Sequence, residues 1–409
     1  MISSIFDLQN PWRRGGGVPF DLRPRDILAL ILENLSNRKI LGLVGSRQVG
    51  KSSLLFLMIR HLLDHEVHPG RIFYFNLDDL KLHELFSDTP AFVDFISPDS
   101  RERSYVFIDE IQRLPTPGLF LKAVHDLGLN LKIVYSGSSQ LEISSKMKEH
   151  LVGRARQFEI PRLSFSEYRA FRHPVTREEA LSGLMIFGGY PEVALTPGET
   201  DRVLAIKDIY QSYVEKDLVE HLQVRDVDGF NRLLALLAGQ IGNLLNVEGL
   251  ARSARIPRHR VEDWLSILEQ TFVIHRVYPF HRNYGKELTK TPKLFFMDLG
   301  LRNFILDRFT PLDRREDVGA LFENLVLLEL LAADPHGLSR FHYWRTTNQT
   351  EIDFIVTRGD AITAIETKWR KGAPPRGFGS FVGHYPEAET RLVSREDFLA
   401  GSEGAIVIK

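Results

Sequence analysis

The sequence predicts an α/β fold: a parallel β-sheet covered by helices, followed by a helical connector and smaller domains. Two observations support this prediction. Short apolar runs alternate with helical patterns over residues 1–160, which is typical of strands joined by crossover helices. A glycine-containing loop separates the first of these runs from the helical pattern after it, and such loops shape ligand sites at the edge of α/β sheets.

The predicted strands are short runs of apolar residues bounded by polar or turn-forming ones. They lie at Lys39–Val44, Arg71–Leu77, Tyr105–Ile108, Leu131–Tyr135 and Gln157–Ile160. Helical patterns at Ser52–Leu63 and Leu119–Leu127 alternate with them, and the chain from Ser164 to Leu222 is mostly helical. We therefore expect a phosphate-loop core at 1–163, a helical lid or connector at 164–225, a winged helix-turn-helix at 226–305 and a small α/β domain at 306–409.

Composition is that of a globular protein, and the length suggests about two to four domains. The chain has 409 residues, of which 43% are hydrophobic and 26% charged, and its formal net charge is -1, so any contact with nucleic acid must come from local basic patches. The absence of cysteine excludes disulfides, thiolate zinc sites and a cysteine nucleophile. No run approaches the roughly 18 apolar residues that span a bilayer, and no signal peptide is recognisable. We expect a cytoplasmic protein without a membrane partner.

Residues 45–52 match the pattern G-x-x-x-x-G-K-[ST], between a predicted strand and a predicted helix. The two glycines let the backbone curl, so that amides and the helix N-terminus point at phosphate oxygens. Lys51 is placed to reach the terminal phosphates, and the Ser52 hydroxyl to coordinate Mg²⁺. A chance match in a chain of this length has a probability on the order of one per cent. The expected ATP-binding residues are Gly45, Ser46, Arg47, Gln48, Val49, Gly50, Lys51, Ser52 and Ser53.

Two acids follow the third predicted strand. Tyr105–Ile108 is apolar and is followed directly by Asp109 and Glu110. A carboxylate at a strand tip beside a phosphate loop is suited to hold Mg²⁺, and we assign that role to Asp109. The adjacent Glu110 is then the residue that orients or deprotonates the attacking water. For either acid alone, a solvated loop position is a fair alternative, but the pair favours a catalytic role.

Two further candidates have alternatives of nearly equal weight. The fourth predicted strand ends in Ser136-Gly137-Ser138-Ser139, where Ser138 or Ser139 could sense the terminal phosphate or simply cap a helix. Arg154 or Arg156 could act as an arginine finger across a subunit boundary, or could be a solvated surface residue.

A helix-turn-helix pattern lies between the two α/β regions. A helical run at Val247–Ala254 is followed by a turn and a second run from Arg258, and Thr271–Tyr278 and Lys293–Met297 could form the strands of a wing. Basic residues lie at the start of the second helix and along the wing loop: Arg258, His259, Arg260, His281, Arg282, Lys286, Lys290 and Lys293. Contact with the DNA backbone is the favoured interpretation, and a packing role between neighbouring subunits is the alternative.

The last third of the chain contains a pair of acidic strands. In Glu351–Val356 and Ala364–Lys368, acids and apolar residues alternate, which places the acids on one face of a sheet. A two-residue turn at Gly359-Asp360 would set Asp353 opposite Glu366 and Glu351 opposite Lys368. Asp353 and Glu366 could then hold Mg²⁺ or Mn²⁺, with Lys368 stabilising charge and Glu323 completing the ligand shell. An ordinary charged hairpin is the alternative.

Several of these segments resemble a prokaryotic family of AAA-type ATPases. They are GLVGSRQVGKSSLL, YVFIDEIQ, YSGSSQ, LVGRARQFEIPRLSFSEY and GGYPEV. The segments ALFENLVLLEL, YWRT, EIDFIV and AIETK resemble the same family, whose members often carry a C-terminal domain of uncharacterised function. That domain in turn resembles the PD-(D/E)XK nuclease superfamily, with Asp353, Glu366 and Lys368 as the signature and Glu323 as the preceding acid. The resemblance implies a homo-oligomer, such as a hexamer.

These features together predict an ATP-hydrolysing protein that acts on DNA, by remodelling, translocation or metal-dependent cleavage. The alternative function is a nucleotide-controlled switch that binds DNA or a partner through an inactive nuclease-like domain. Intact Asp353, Glu366 and Lys368 favour the enzyme.

Overall fold

The computed structural model divides the chain into two compact units, residues 1–160 and 161–409. It describes residues 2–20, 22–99, 101–137, 150–173, 176–218, 226–281, 291–346, 348–370, 372 and 375–400, with no side-chain description for 215–218 and 376.

The first unit is built on a five-stranded, entirely parallel sheet. In spatial order its strands are β2 (Ile72–Asn76), β3 (Ser104–Asp109), β4 (Leu131–Gly137), β1 (Ile40–Val44) and β5 (Ala155–Glu159). All five predicted strands are confirmed to within two residues. The three central strands are buried nearly throughout, as expected when helices cover both faces of a parallel sheet.

The helices of this unit lie at Ile2–Gln9, Ile27–Glu33, Lys51–Asp64, His83–Ser87, Thr89–Ile96 and Pro117–Asp126. Aromatic side chains from helices and strands form much of the core: Phe6 packs on Phe75 with ring centroids 5.1 Å apart, and Phe86 packs on Phe120 at 5.0 Å. Each buried aromatic ring removes a large apolar area from water, which stabilises the sheet that positions the phosphate loop.

The second unit begins with helices at Phe165–Arg172, Arg177–Phe187, Pro191–Leu195 and Glu199–Ile209, followed by a π-helix at Tyr210–Leu218. Capping boxes start two of them, since Ser164 and Thr176 each exchange hydrogen bonds with a glutamate three residues later. The buried Arg162 lies 3.5 Å from Asp298 and donates to the carbonyls of Met297 and Phe272. This buried ion pair fastens the helical connector to the chain around residue 298.

Three helices follow, at Val227–Ala238, Val247–Ala254 and Arg258–Gln270. The second and third are joined by a short turn in which Arg255 has a positive φ of 58° and ends the second helix. Phe230 packs edge-on against Trp264 with centroids 5.2 Å apart, so the first and third helices share an apolar contact. Strands β6 (Ile274–Pro279) and β7 (Lys293–Phe296) pair antiparallel directly afterwards. Two helices joined by a short turn and an antiparallel strand pair therefore lie where the sequence predicted a winged helix-turn-helix, which stays a prediction.

The two strands also belong to a six-stranded mixed sheet, in the order β11-β10-β9-β8-β6-β7. The other strands are β8 (Arg340–Arg345), β9 (Glu351–Arg358), β10 (Ala361–Lys368) and β11 (Glu389–Ser394). The remaining helices lie at Leu299–Ile305, Val318–Ala332, Arg376–His384 and Arg395–Ala400. Because β6 hydrogen-bonds with β8, this sheet joins residues on both sides of the expected boundary at 305/306. The expected domain limits stay predictions.

The hairpin register matches the sequence expectation. Ala361 lies opposite Arg358 and Ile365 opposite Phe354, as a two-residue turn at Gly359-Asp360 requires. Gly359 has a positive φ of 58°, which a glycine adopts readily. None of the helices within the described ranges combines the length and apolar character needed to traverse a bilayer.

Candidate nucleotide-binding site and acidic cluster

The phosphate loop connects the end of β1 to the helix Lys51–Asp64, and backbone geometry dictates its two glycines. Gly50 precedes the helix with a φ of 93°, a conformation that side chains rarely adopt. At Gly45 a Cβ would lie 2.7 Å from the carbonyl oxygen of Ile160, so only glycine lets the loop pass the chain after β5. A residue outside the loop also stabilises it, because the buried Arg25 side chain donates a hydrogen bond to the carbonyl of Val49 at 2.8 Å.

Lys51 is 4% exposed, and its ammonium donates to the carbonyls of Gly45 and Ser46 at 3.0 and 2.7 Å. Burial lowers the pKa of Lys51 to about 8, although the carboxylates of Glu110 and Asp109 act in the opposite direction. The Ser46 hydroxyl is buried and has no hydrogen-bond partner among the residues that the structure describes. The loop thus presents a cation and an unsatisfied polar group in a curled backbone, which suits an anionic ligand.

Asp109 ends β3 and is held by hydroxyl groups from both neighbouring strands. The Tyr74 hydroxyl on β2 donates to Asp109 Oδ2 at 2.8 Å, and the Ser136 hydroxyl on β4 donates to Asp109 Oδ1. Tyr74 is buried and packs on Phe56 with ring centroids 4.6 Å apart. The carboxylate orientation is therefore fixed by groups on three adjacent strands.

Glu110 follows with a positive φ of 57°, which is uncommon outside glycine and asparagine. Its backbone N–H donates to Ser136 Oγ at 3.0 Å, and its carboxylate accepts a hydrogen bond from the Gln112 side chain. Burial raises the pKa of Glu110, and Lys51 opposes that shift. A carboxylate with a raised pKa is better suited to accept a proton from water than an ordinary surface glutamate.

The predicted nucleotide residues thus meet at one edge of the parallel sheet, and they fit ATP with a magnesium ion. Ser52, half-buried at the start of the helix, and Asp109 are the oxygen donors that would hold the metal. Bound there, Mg²⁺ would neutralise charge on the phosphates and help to orient them.

The structure does not confirm the predicted phosphate-sensing serine or the predicted arginine finger. Ser138 and Ser139 lie outside the described residues, whereas Ser136, two positions earlier, is the serine that contacts both acids. Arg154 forms a bidentate ion pair with Asp126 of its own chain, at 2.8 and 3.1 Å, and Arg156 donates to the Asn34 side chain. A role for either arginine as a finger stays a prediction and requires these contacts to break.

The acids of the second unit surround a lysine for which the sequence predicted DNA contact. Lys293 on β7 is 2% exposed, and its Nζ lies 3.0 Å from Glu323 Oε1, 2.5 Å from Glu351 Oε1 and 4.0 Å from Asp353 Oδ1. A buried, ion-paired ammonium cannot reach a DNA phosphate, so that prediction is wrong for Lys293. We call Lys293, Glu323, Glu351, Asp353, Glu366 and Lys368 the acid–lysine cluster.

The other contacts of the acid–lysine cluster also differ in part from expectation. Glu351 pairs with Lys293 and with Arg345 at 3.4 Å, and the expected contact partner Lys368 instead lies 2.8 Å from Glu366 Oε1. Asp353 Oδ2 accepts hydrogen bonds from the backbone and hydroxyl of Thr367, both at 2.8 Å. The paired register extends to Ile365 opposite Phe354, so the predicted pairing of Asp353 with Glu366 stays a prediction, and lysines and a threonine satisfy much of the charge of these acids.

Burial and neighbouring charges shift the pKa values of the side chains in the acid–lysine cluster. Burial, with help from the nearby Asp353 charge, raises the pKa of Glu323 to about 8. Burial followed by the charge of Asp353 also raises the pKa of Glu366. For Lys293, burial acts to lower the pKa, but the surrounding carboxylates, Glu323 first, outweigh it and raise the pKa above its ordinary value.

This arrangement does not fit the divalent ion predicted at Glu323, Asp353 and Glu366. No group of three or more histidine or acidic side chains within the described ranges has the geometry of a metal site. Two ammonium groups already lie against the carboxylates, and Lys293 contacts or approaches two of the three predicted ligands.

The helix-turn-helix presents a basic turn. Arg252, Arg255, Arg258 and His259 are exposed and Arg260 is half-buried. Arg258 is ion-paired with Glu248 at 3.1 Å and Glu262 at 3.0 Å. Arg252, Arg255 and Arg260 have no ion-pair partner among the residues that the structure describes. Two of these three arginines, Arg252 and Arg255, were not among the residues for which the sequence predicted DNA contact.

Comparison with known families agrees with the phosphate-loop core. Residues 37–169 match a family described as AAA domain. Residues 178–312 and 318–406 match two families described as domain of unknown function, DUF8612 and DUF4143. Residues 37–169 are therefore similar to AAA domains, which supports the AAA part of the resemblance.

Two relatives are similar in sequence to this chain over most of their length. An uncharacterized protein of Haemophilus influenzae is 26% identical over 339 residues, covering 79% of this chain and 80% of the relative. An uncharacterized protein of Methanocaldococcus jannaschii is 26% identical over 349 residues, covering 81% and 74%.

Two solved structures are similar to this chain at lower sequence identity than these relatives. The Aeropyrum pernix ORC1 protein in complex with DNA has a TM-score of 0.31 at 14% identity, covering 71% of this chain and 94% of that one. AMPPCP-bound DnaA from Aquifex aeolicus has a TM-score of 0.33 at 14% identity, covering 60% and 86%.

The Tyr74–Asp109 hydrogen bond predicts a defect in metal use. Tyr74→Phe keeps the ring but removes the hydroxyl that orients the carboxylate. We expect ATP turnover to require about tenfold more Mg²⁺ for half-maximal rate, measured by phosphate release across a Mg²⁺ titration. Tyr105→Phe, the same change on β3, is the control and should behave as wild type. An unchanged Mg²⁺ requirement in Tyr74→Phe would show that the hydroxyl does not position Asp109.

The lowered pKa of Lys51 predicts a pH-dependent affinity for ATP. The free protein loses the Lys51 charge above about pH 8, whereas bound phosphates favour the charged form and raise its pKa. ATP binding should therefore take up a proton above pH 8, and affinity should weaken as pH rises through that range. Calorimetry at pH 9 in buffers of different ionisation enthalpy measures this uptake. Binding without proton uptake in wild type, or with equal uptake in Lys51→Arg, would contradict it.

Proposed function

We propose that this protein hydrolyses ATP at the phosphate loop and uses nucleotide state to control its binding to DNA. The observation that carries the first part is the meeting of Lys51, Asp109 and Glu110 at one sheet edge, with Asp109 held by two hydroxyl groups. These are the parts that phosphoryl transfer to water requires: a cation for the phosphates, a carboxylate near the metal, and a base.

Each residue has a defined task in this proposal. When phosphates enter, the Lys51 ammonium exchanges the carbonyls of Gly45 and Ser46 for phosphate oxygens, so no buried charge is left unpaired. Glu110 accepts the proton of the attacking water at its carboxylate, which burial has made more basic. The Ser136 hydroxyl donates to the Asp109 carboxylate and accepts from the backbone N–H of Glu110, so it holds the chain in place at both acids.

The exposed basic turn supports the DNA-binding part of the proposal. Arg252 lies in the last turn of the helix Val247–Ala254 and Arg255 directly follows that helix, and neither has a carboxylate partner among the described residues. Exposed, uncompensated arginines suit contact with phosphates, which supplies most non-specific affinity for DNA. A packing role would more readily be served by paired charges such as Arg258 with Glu248 and Glu262.

Metal-dependent DNA cleavage is the competing function for the second unit, and the contacts of Lys293 argue against it. With that ammonium among the acids, the cluster is a closed charge network, and we assign the second unit to binding. Assembly into a homo-oligomer, such as a hexamer, is part of the proposal only through the family resemblance.

Removal of the proposed base separates ATP binding from hydrolysis. Glu110→Gln should bind ATP with near-wild-type affinity, but its turnover should fall by about 10²–10⁴-fold because no proton acceptor remains. Lys51→Ala, the comparison variant, should lose nucleotide binding itself. Calorimetry and phosphate release measure the two effects. Normal turnover in Glu110→Gln would mean that another residue activates the water.

Removal of charge from the basic turn should reduce the salt dependence of DNA binding. Arg252→Gln with Arg255→Gln should lower the slope of log affinity against log salt by about 0.9 for each DNA phosphate that the protein no longer neutralises. Arg314→Gln with Arg340→Gln changes the net charge equally at exposed positions of the same unit and is the matched control. Fluorescence anisotropy at several salt concentrations measures the slope. Equal slopes in the two double variants would favour the packing role.

A further inference from the structure

A short turn after Glu110 brings the side chain of Gln112 back to the Glu110 carboxylate. The next three residues form a single 3₁₀ turn, in which the Arg113 N–H donates to the Glu110 carbonyl at 3.0 Å. Ile111 is fully buried in the core of the first unit, and Arg113 pairs with Asp78 at 2.9 Å, so both ends of the turn are anchored. Gln112 lies between these anchors and is 6% exposed, and its side-chain amide donates to Glu110 Oε2. The turn therefore holds this amide against the carboxylate.

Among the neighbouring groups, Lys51 exerts the strongest attraction on the Glu110 carboxylate. Burial raises the pKa of Glu110, and the Lys51 charge is the group that opposes this shift most. Burial lowers the pKa of Lys51 to about 8, and Glu110 is the group that opposes that shift most. Because both side chains have already lost most of their contact with water, a direct ion pair between them would add attraction at little further desolvation cost.

That ion pair does not form between Lys51 and Glu110, both of which belong to the described part of the chain. The Lys51 ammonium instead donates to the carbonyls of Gly45 and Ser46. Among the described residues, Gln112 is the one side chain that donates a hydrogen bond to the Glu110 carboxylate. The Gln112 amide is therefore the contact that opposes movement of this carboxylate towards the lysine.

We propose that Gln112 is a positioning residue that keeps the Glu110 carboxylate apart from the Lys51 ammonium while the site holds no nucleotide. This role rests on the function proposed above, in which Lys51 binds phosphates and Glu110 activates water. A direct ion pair would hinder both tasks, because incoming phosphates would have to displace a carboxylate rather than two carbonyl oxygens. An amide suits the role, since it donates a hydrogen bond to the carboxylate without adding a second cation beside Lys51.

The test is the affinity for a non-hydrolysable ATP analogue with Mg²⁺, measured by calorimetry at neutral pH. Gln112→Met keeps the length of the side chain and removes the donor. We expect its affinity to fall by about tenfold, since the phosphates must then break a Lys51–Glu110 ion pair. Adding Glu110→Gln to Gln112→Met removes one partner of that pair and should restore affinity to within about twofold of Glu110→Gln alone. A residue that only supported the fold would not be rescued in this way. Gln157→Met, the same change on β5, removes a hydrogen bond of 2.8 Å to the Tyr135 hydroxyl and should bind the analogue as wild type does.

Two results overturn the role of Gln112 and leave the proposed function intact. One is wild-type affinity in a folded Gln112→Met protein, and the other is weak binding that persists when Glu110→Gln is added. If wild type binds no analogue, or if Glu110→Gln hydrolyses ATP normally, the proposed function fails and the role of Gln112 fails with it. If Gln112→Met does not fold, Gln112→Glu keeps the shape and polarity of the side chain. Its carboxylate repels that of Glu110, so the same loss of affinity, the same restoration by Glu110→Gln and the same contrary results apply.

Discussion

The carboxylate of Asp109 is the point on which the nucleotide site depends, because three neighbouring strands meet there. Tyr74 on β2 and Ser136 on β4 donate to its two oxygens, and Asp109 itself ends β3. These contacts exist only if the strands lie in the order β2-β3-β4 and in parallel, so that their carboxyl ends share an edge. Strand β1 lies on the other side of β4 and delivers the phosphate loop to the same edge. The order of the strands thus brings Asp109, Glu110 and Lys51 to the same edge of the sheet.

Two buried lysines show how the partner of a charge decides what a site can do. Lys51 is satisfied by the carbonyl oxygens of Gly45 and Ser46, which carry no net charge. A phosphate is a stronger partner, so Lys51 is available to a ligand. Lys293 is satisfied by the carboxylates of Glu323 and Glu351, and an anion could gain nothing by displacing them. The same side chain is therefore poised for binding in one unit and held in a closed network in the other.

Much of this organisation could be predicted from the sequence, because local pattern determines it. The five strands of the first sheet, the phosphate loop and the β9–β10 register follow from apolar periodicity, glycine spacing and a two-residue turn. The positions of Tyr74 and Lys293 could not be predicted in this way. Tyr74 is an ordinary strand aromatic in the sequence, and only the β2–β3 pairing brings its hydroxyl to Asp109. Lys293 ends a basic segment, which suggested DNA contact, but the pairing of β6 with both β7 and β8 draws it into the second sheet.

A weak signal for the burial of Lys293 was present in the sequence. Lys293 directly precedes the apolar run Leu294–Met297, and an inward-facing lysine in a buried strand requires acceptor oxygens, from carboxylates or from carbonyls. Which carboxylates would serve is a matter of tertiary structure.

The most direct test of the account is a crystal structure of the Glu110→Gln protein with ATP and Mg²⁺. The account predicts ATP in the phosphate loop and the Lys51 ammonium moved from the loop carbonyls to the phosphates. Mg²⁺ should lie about 2.0–2.1 Å from Ser52 Oγ, with Asp109 in its coordination shell directly or through water. The side-chain amide at position 110 should face the terminal phosphate. A nucleotide bound elsewhere, or one bound in the loop with Asp109 and residue 110 turned away from it, would contradict the account.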